Sequence, residues 1–315
     1  MEISLVILFF AIGLIMTVKG GDLFVDAAIW IAEKTGISSG IIGATIVSMA
    51  TTLPELFVST VASNEGFSEM AIGNAIGSYI CNIAFIIGIC SLIRPIKIKD
   101  KFFGIKGTMM IGYLCIFFLF SKDGFITFKE GYLLVLLQIF FVFLNILEHR
   151  RESTYRSKNK GKYICKKDLI KNGVKFIVGI LLIIYGAHIL VDSGVEIAKA
   201  LRIPKQVVSL TLLAIGTSIP EFVTSIVAIL KGQQNISLGN ILGANIINIS
   251  IVVGISTLVS DKGLIVTGHT LFTDIPMAML VSFLFVLVGL LNKKIGRLTG
   301  LILLGAYITY LFILF

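Results

Sequence analysis

Long apolar runs separated by short polar breaks recur along the whole 315-residue chain. Windows of about 20 apolar residues, the length that crosses a hydrocarbon core, fall near 3–31, 38–62, 70–93, 104–120, 125–147, 171–200, 205–230, 235–259, 270–291 and 296–314. They predict ten transmembrane helices and an all-α polytopic membrane protein. One long polar stretch, His149 to Lys167, interrupts the pattern near the middle. It divides the chain into a first unit over 1–148, a basic linker over 149–170 and a second unit over 171–315. The first apolar run follows Met1-Glu2 without a basic n-region and lacks a small-residue cleavage signal, so it reads as a retained helix.

Composition agrees: 56% hydrophobic and 14% charged residues, with a mean hydropathy of +0.98, do not describe a soluble domain. The formal net charge of +9 raises the question of nucleic acid or a membrane surface. The position of the basic residues answers it. Alternate loops carry Lys34, Arg94 to Lys106, Arg150 to Lys171, Lys231 and Lys293 to Arg297. The opposite loops carry only Lys122, Lys129, Lys199, Arg202, Lys205 and Lys262. The positive-inside rule then predicts a multi-pass cell-membrane protein with both termini outside and the basic loop cytoplasmic. That loop reads as solvated chain, with anionic lipid headgroups as the other reading. No nucleic-acid partner, obligatory protein partner or cofactor is expected. Cys81, Cys90, Cys115 and Cys165 lack metal or disulfide spacing, and His149, His188 and His269 are scattered.

Comparing the chain with itself shows that the halves are copies. Thr51 and Thr217 are 166 positions apart, and the same offset relates Pro54 to Pro220, Glu55 to Glu221, Ser59 to Ser225, Gly73 to Gly239, Asn74 to Asn240, Gly77 to Gly243 and Asn82 to Asn248. Five spans per half is an odd number, so the second copy enters the bilayer from the opposite face. This predicts two inverted-topology repeats, the architecture of alternating-access transporters. Asp26 and Asp192 also match at this offset, but each falls toward a helix end, where a carboxylate meets headgroups, caps a backbone or pairs with a lysine.

The repeated segments carry the candidate chemistry. Thr51, Glu55 and Ser59 follow i, i+4, i+8 spacing on one helical stripe, with Ser48 and Thr52 beside it. Pro54 removes a backbone donor and distorts the preceding turn next to Glu55, and Pro220 does the same beside Glu221. Asn74, Ser78 and Asn82 share a face of the next span, and the second half repeats it with Asn240, Ala244 and Asn248. A carboxylate in hydrocarbon is costly unless a partner offsets it. Carboxylate, hydroxyl, amide and carbonyl oxygens without nearby His or thiolate suit a hard cation such as Ca²⁺ or Na⁺.

Gly216-Thr-Ser-Ile-Pro-Glu221 and Gly73-Asn-Ala-Ile-Gly-Ser78 resemble the two alpha-repeat signatures of the calcium/cation antiporters, and the chain as a whole is similar to prokaryotic sodium/calcium exchangers. The resemblance implies a central site occupied alternately by Na⁺ ions and one Ca²⁺, with the long first and sixth helices sliding across it. The site residues it implies are the carbonyl of Ser48, then Thr51, Thr52, Glu55, Ser78 and Asn82. In the second half they are the carbonyl of Ala214, then Thr217, Ser218, Glu221 and Asn248.

Two positions depart from that pattern: Ala244 stands where the family often has a Ser ligand, and Asn248 where many prokaryotic members have Asp. Thr52 for Ser and Ala50 for Gly are milder changes. With Asn248 neutral, Glu55 and Glu221 supply two negative charges, so loading by three Na⁺ would leave a net positive site and make exchange electrogenic. The resemblance associates an Asp at this position with the K⁺-dependent exchangers of animals, which implies that Asn248 goes with exchange without K⁺. Gly13, Gly20 and Gly21 fit a sliding helix contact. The alternatives are an H⁺-coupled Ca²⁺ antiporter of the same fold and an intramembrane enzyme using the glutamates as acid and base. The enzyme reading lacks a nucleophile with its base or a bound metal.

Overall fold

The computed structural model describes residues 3–98, 102–155, 165–200 and 216–314. Among these, eight helices are long and apolar enough to cross a membrane, and a bent pair makes a ninth candidate. In chain order the helices are α1 (Ile3–Thr35), the bent pair α2 (Ser39–Thr51) and α3 (Leu53–Asn64), α4 (Ser68–Ile93), α5 (Phe102–Ser121), α6 (Phe128–Tyr155), α7 (Lys166–Ala200), α8 (Ile219–Leu230), α9 (Gln234–Val259), α10 (Thr270–Asn292) and α11 (Arg297–Leu314). The span expected over 205–230 is described only from Gly216 onward.

Hydropathy finds where a helix is apolar, whereas the helices extend further wherever backbone bonding and caps allow. Thus α1 continues to Thr35 and α6 to Tyr155. At its start, α6 is shorter than expected. Gly124 turns the chain with φ of 81°, and Phe125 and Ile126 form a strand instead of helix. Thr127 and Glu130 then close a capping box: the Thr127 amide donates to Glu130 at 2.8 Å and the Glu130 amide to the Thr127 hydroxyl at 3.4 Å.

Helices α4 and α9 occupy the centre, with 72% and 83% of their apolar windows buried, against 22–44% for the other long helices. Tyr79, Ile83 and Ile87 of α4 pack in one core with Ile241 and Ile246 of α9 and Phe285 of α10. Large apolar side chains on the outer helices, Phe57, Leu291 and Phe312 among them, are exposed on the molecule. That is the arrangement expected where lipid is the solvent and satisfied backbone dictates helices.

Two short antiparallel ribbons mark opposite rims. β1 (Ile96–Lys97) pairs with β4 (Lys294–Ile295), and β2 (Phe125–Ile126) pairs with β3 (Leu264–Ile265). Each ribbon joins the first half to the second. The α8–α9 turn lies at the β1–β4 rim, because Gln234 accepts from the Lys97 amide at 2.9 Å and donates to the Pro95 carbonyl at 3.1 Å.

Helices α1 and α7 pack against each other along most of their length. Their crossing is lined by Gly13, Gly20, Gly179 and Gly186, which fall 166 apart in pairs. A Cβ on Gly20 would lie 2.7 Å from the Gly179 carbonyl, and one on Gly186 would lie 2.9 Å from the Gly13 carbonyl. Small residues thus let the two backbones touch, as membrane helices require for close packing. Gly21 faces α8 instead, where an added Cβ would meet Val223 at 2.6 Å.

Asp26 does meet a lysine: Lys231, beyond α8, contacts Asp26 at 2.7 Å and Asp22 at 3.3 Å. Asp192 is exposed toward the end of α7. Asp274 lies near the start of α10, two residues before Pro276, is buried, and accepts from Tyr310 at 2.9 Å.

Candidate cation site

Thr52 (φ −85°, ψ 3°) and Ser218 (φ −87°, ψ 4°) leave helical geometry at matching positions, each two residues before a proline. Across the first of these breaks α2 and α3 bend by 44°. Pro54 and Pro220 have no amide hydrogen, so a carbonyl one turn back loses its helical donor. The glutamate follows directly, which puts Glu55 and Glu221 in the first turns of α3 and α8. Helix N-termini favour negative charge. Both carboxylates are fully buried.

Each carboxylate is met by a hydroxyl from the other half. Thr52 donates to Glu221 Oε1 at 3.0 Å, and Ser218 reaches Glu55 Oε1 at 3.5 Å. A second reciprocal pair lies beside the first: Thr51 donates to Asn240 Oδ1 at 3.1 Å and Thr217 to Asn74 Oδ1 at 3.2 Å. The hydroxyls of Ser78 and Thr217 are 3.3 Å apart. The four residues at the breaks therefore tie the two halves together, through both glutamates, both asparagines and Ser78.

Helix widening accompanies the site. Residues 81–87 and 248–252 are π-helical, and they begin with Cys81, next to Asn82, and with Asn248 itself. A third π-helical stretch, 43–47, runs up to Ser48. Such turns shift carbonyls out of the regular ladder and are frequent at functional sites.

The remaining expected residues that the structure describes, Ser48, Ser78, Asn82 and Asn248, are also buried. The Ser48 carbonyl accepts the Thr52 amide at 3.0 Å and the Thr51 hydroxyl at 3.3 Å. Asn82 donates to Asn245 Oδ1 at 2.9 Å. Among the described residues, Asn248 has no hydrogen-bond partner on either amide atom. Ala214 lies outside the described residues. Ala244 is fully buried and has no side-chain oxygen to offer.

Within the expected donor set, four buried oxygens have no hydrogen-bond partner among the described residues: Glu55 Oε2, Glu221 Oε2, Asn82 Oδ1 and Asn248 Oδ1. Buried polar atoms are nearly always paired, so such a group calls for an explanation. All four are acceptors, the atom type that a hard cation binds. No group of three or more His, Cys, Asp or Glu is placed to hold a metal ion among the described residues. That leaves two carboxylates with neutral oxygens, a donor set fitted to alkali or alkaline-earth ions and poorly fitted to transition metals.

Sequence periodicity put Asn74 and Asn240 on the right faces but did not show that each receives a threonine from the other half. Asn245 escaped notice altogether. Its counterpart is Tyr79, so the repeat does not flag it, although it accepts from Asn82 and donates to the Tyr79 carbonyl at 3.3 Å.

Membrane-length helices around paired, buried carboxylates define a membrane protein built to handle ions. The profile of the sodium/calcium exchanger protein family matches residues 5–147 and 172–315. The sodium/calcium exchanger MaX1 of Methanosarcina acetivorans is 30% identical over 345 aligned positions, covering 96% of this chain and 97% of the relative. The inner membrane protein YrbG of Escherichia coli is 32% identical over 311, covering 96% and 95%. A solved structure of the sodium-calcium exchanger NCX_Mj, soaked with 2.5 mM Na⁺ and 10 mM Sr²⁺, superposes with a TM-score of 0.85 at 29% identity over 98% of both chains. This chain belongs to the sodium/calcium exchanger family, a family of ion-transporting antiporters.

Proposed function

We propose that this protein exchanges Na⁺ for Ca²⁺ by alternating access, with both ions competing for Glu55 and Glu221. The observation that carries the reading is the reciprocal arrangement of the two glutamates: each is buried, bonded to the other half through one oxygen, and has its second oxygen unpaired. Both proteins named above as sodium/calcium exchangers match nearly the full chain, which supports the same ion pair here.

The architecture that goes with this reading is ten spans in two inverted five-helix repeats, residues 1–148 and 171–315, joined by a basic linker. The bent pair α2–α3 serves as the second span, and the segment ending in α8 as the seventh. Lys97, Lys231 and Lys294 lie at the β1–β4 rim, which the positive-inside rule makes cytoplasmic, leaving the termini outside. The donor set is the one already described, with the carbonyls of Ser48 and Ala214, the hydroxyls of Thr51, Thr52, Ser78, Thr217 and Ser218, and the amides of Asn82 and Asn248 around the two carboxylates.

Two carboxylates balance one Ca²⁺ or two Na⁺. A third Na⁺ leaves the loaded site with one positive charge, so that exchange moves net charge and draws about 2.3 kcal/mol per charge per 100 mV from the membrane potential. Asn248, in place of the Asp that the family resemblance associates with K⁺ dependence, supports exchange that does not require K⁺.

Reconstituted vesicles loaded with Na⁺ test the proposal. Uptake of radioactive Ca²⁺ is expected to require the outward Na⁺ gradient and to proceed without K⁺. Uptake driven equally well by a pH gradient would replace Na⁺ coupling with H⁺ coupling.

A further inference from the structure

In the first half, Ser59, Asn74 and the Ala71 main chain close on one another beyond the cation site. Asn74 Nδ2 donates to Ser59 Oγ at 2.9 Å, and Ser59 donates to the Ala71 carbonyl at 3.0 Å. The residues 166 positions later are Ser225, Asn240 and Ser237. There the closure is not made. Ser225 Oγ, Ser237 Oγ and Asn240 Nδ2 are buried and have no hydrogen-bond partner among the described residues.

The other end of Asn240 behaves like its counterpart. Asn240 Oδ1 accepts from Thr51, as Asn74 Oδ1 accepts from Thr217. Asn240 is therefore anchored to the cation site by its carbonyl and turns its NH₂ group away from that bond. The sequence also departs from the repeat at this place, toward polarity. Ser237 replaces Ala71, and Thr224, whose hydroxyl is likewise unpaired, replaces Val58.

Direction follows from the fold. α8 runs from Glu221 to the β1–β4 rim, and Ser225 lies one turn from Glu221 along it. α9 starts at that rim and reaches Ser237 before Asn240. The unpaired groups thus lie between the cation site and the β1–β4 rim. An amide donor among them disfavours a bare cation, whereas water supplies both donors and acceptors and satisfies hydroxyls and NH₂ together.

We propose that Ser225, Ser237 and Asn240 hold water in a hydration pocket on the β1–β4 side of the site, and that this water rehydrates a cation leaving Glu221 toward that rim. The identity of the cation rests on the exchanger reading above; the water does not.

Two measurements test it. A crystal structure at a resolution that shows ordered solvent is expected to place water within hydrogen-bonding distance of all three groups. Sided exchange in oriented vesicles then compares wild type with the double variant Ser225→Ala/Ser237→Ala, in which Ser237→Ala installs the residue of the first half. The variant is expected to show a KM raised several-fold for ions presented at the β1–β4 rim, with KM at the opposite rim unchanged. The unchanged value also reports that the variant is folded. A dry pocket, wild-type kinetics at both rims, or equal loss at both rims overturns the proposal. A wild-type protein that moves neither Na⁺ nor Ca²⁺ defeats the exchanger reading instead, and the crystallographic search for water decides the pocket on its own.

Discussion

Thr52 in the first half donates to Glu221 in the second at 3.0 Å, while the equivalent contact from Ser218 to Glu55 is longer, at 3.5 Å. The repeat supplies the same pair twice, yet the two bonds are unequal. A hydroxyl bond to a charged acceptor contributes about 1.5–3 kcal/mol, and its strength falls as it lengthens. Thr52→Val is therefore expected to reduce exchange more than Ser218→Ala, by roughly ten-fold or more given about 1.4 kcal/mol per decade. Equal effects in a vesicle flux assay would contradict the inequality.

The glutamates themselves set the strictest test. Glu55→Gln and Glu221→Gln keep the shape of the side chain and remove its charge. Each is expected to abolish Na⁺-driven Ca²⁺ uptake while the purified protein still elutes as a single folded species. Either variant transporting at the normal rate would remove that residue from the site.

Asn248→Asp adds a third carboxylate to the proposed site. A site holding three Na⁺ then becomes neutral and one holding Ca²⁺ becomes negative. The voltage-sensitive step is expected to move from the Na⁺ half-cycle to the Ca²⁺ half-cycle, where each charge responds by about 2.3 kcal/mol per 100 mV. Electrical recording of Na⁺ and Ca²⁺ homo-exchange on supported membranes distinguishes the two cases.

The crossing of α1 and α7 predicts a steric effect remote from the carboxylates. A Cβ on Gly20 would come within 2.7 Å of the Gly179 carbonyl and 2.8 Å of the Ile183 amide. Overpacking of this kind costs about 1–3 kcal/mol. Gly20→Ala is expected to lower thermal stability in detergent and to slow exchange, with the KM for Ca²⁺ little changed. By contrast, Lys231→Met removes contacts to Asp22 and Asp26, whose side chains are 46% and 47% exposed. Screened pairs of that type contribute at most about 1 kcal/mol, so melting should shift only slightly.

Much of this was legible in the residues because membrane helices announce themselves by hydropathy and the repeat announces the site. Glu55, Pro54 and Thr51 recur at one offset, and the kink that proline implies is found at Thr52. Periodicity assigns a residue to a face without saying which helix opposes that face. For that reason the bonds from Thr51 to Asn240 and from Thr217 to Asn74 were not foreseen. Asn245 was hidden by its mismatch with Tyr79, and the ribbons by their length of two residues. The Thr127–Glu130 capping box was present as a T-x-x-E pattern, but the apolar window around it outweighed the signal.

Helices α5 and α6 are stitched to α10 and α11 by loops that zip together at top and bottom of the molecule. Among the described residues the long pair α1 and α7 takes part in neither ribbon; the two helices meet along a glycine-lined crossing. Under the exchange mechanism proposed above, that division would fasten one portion of the protein as a chassis and leave the other to travel over it.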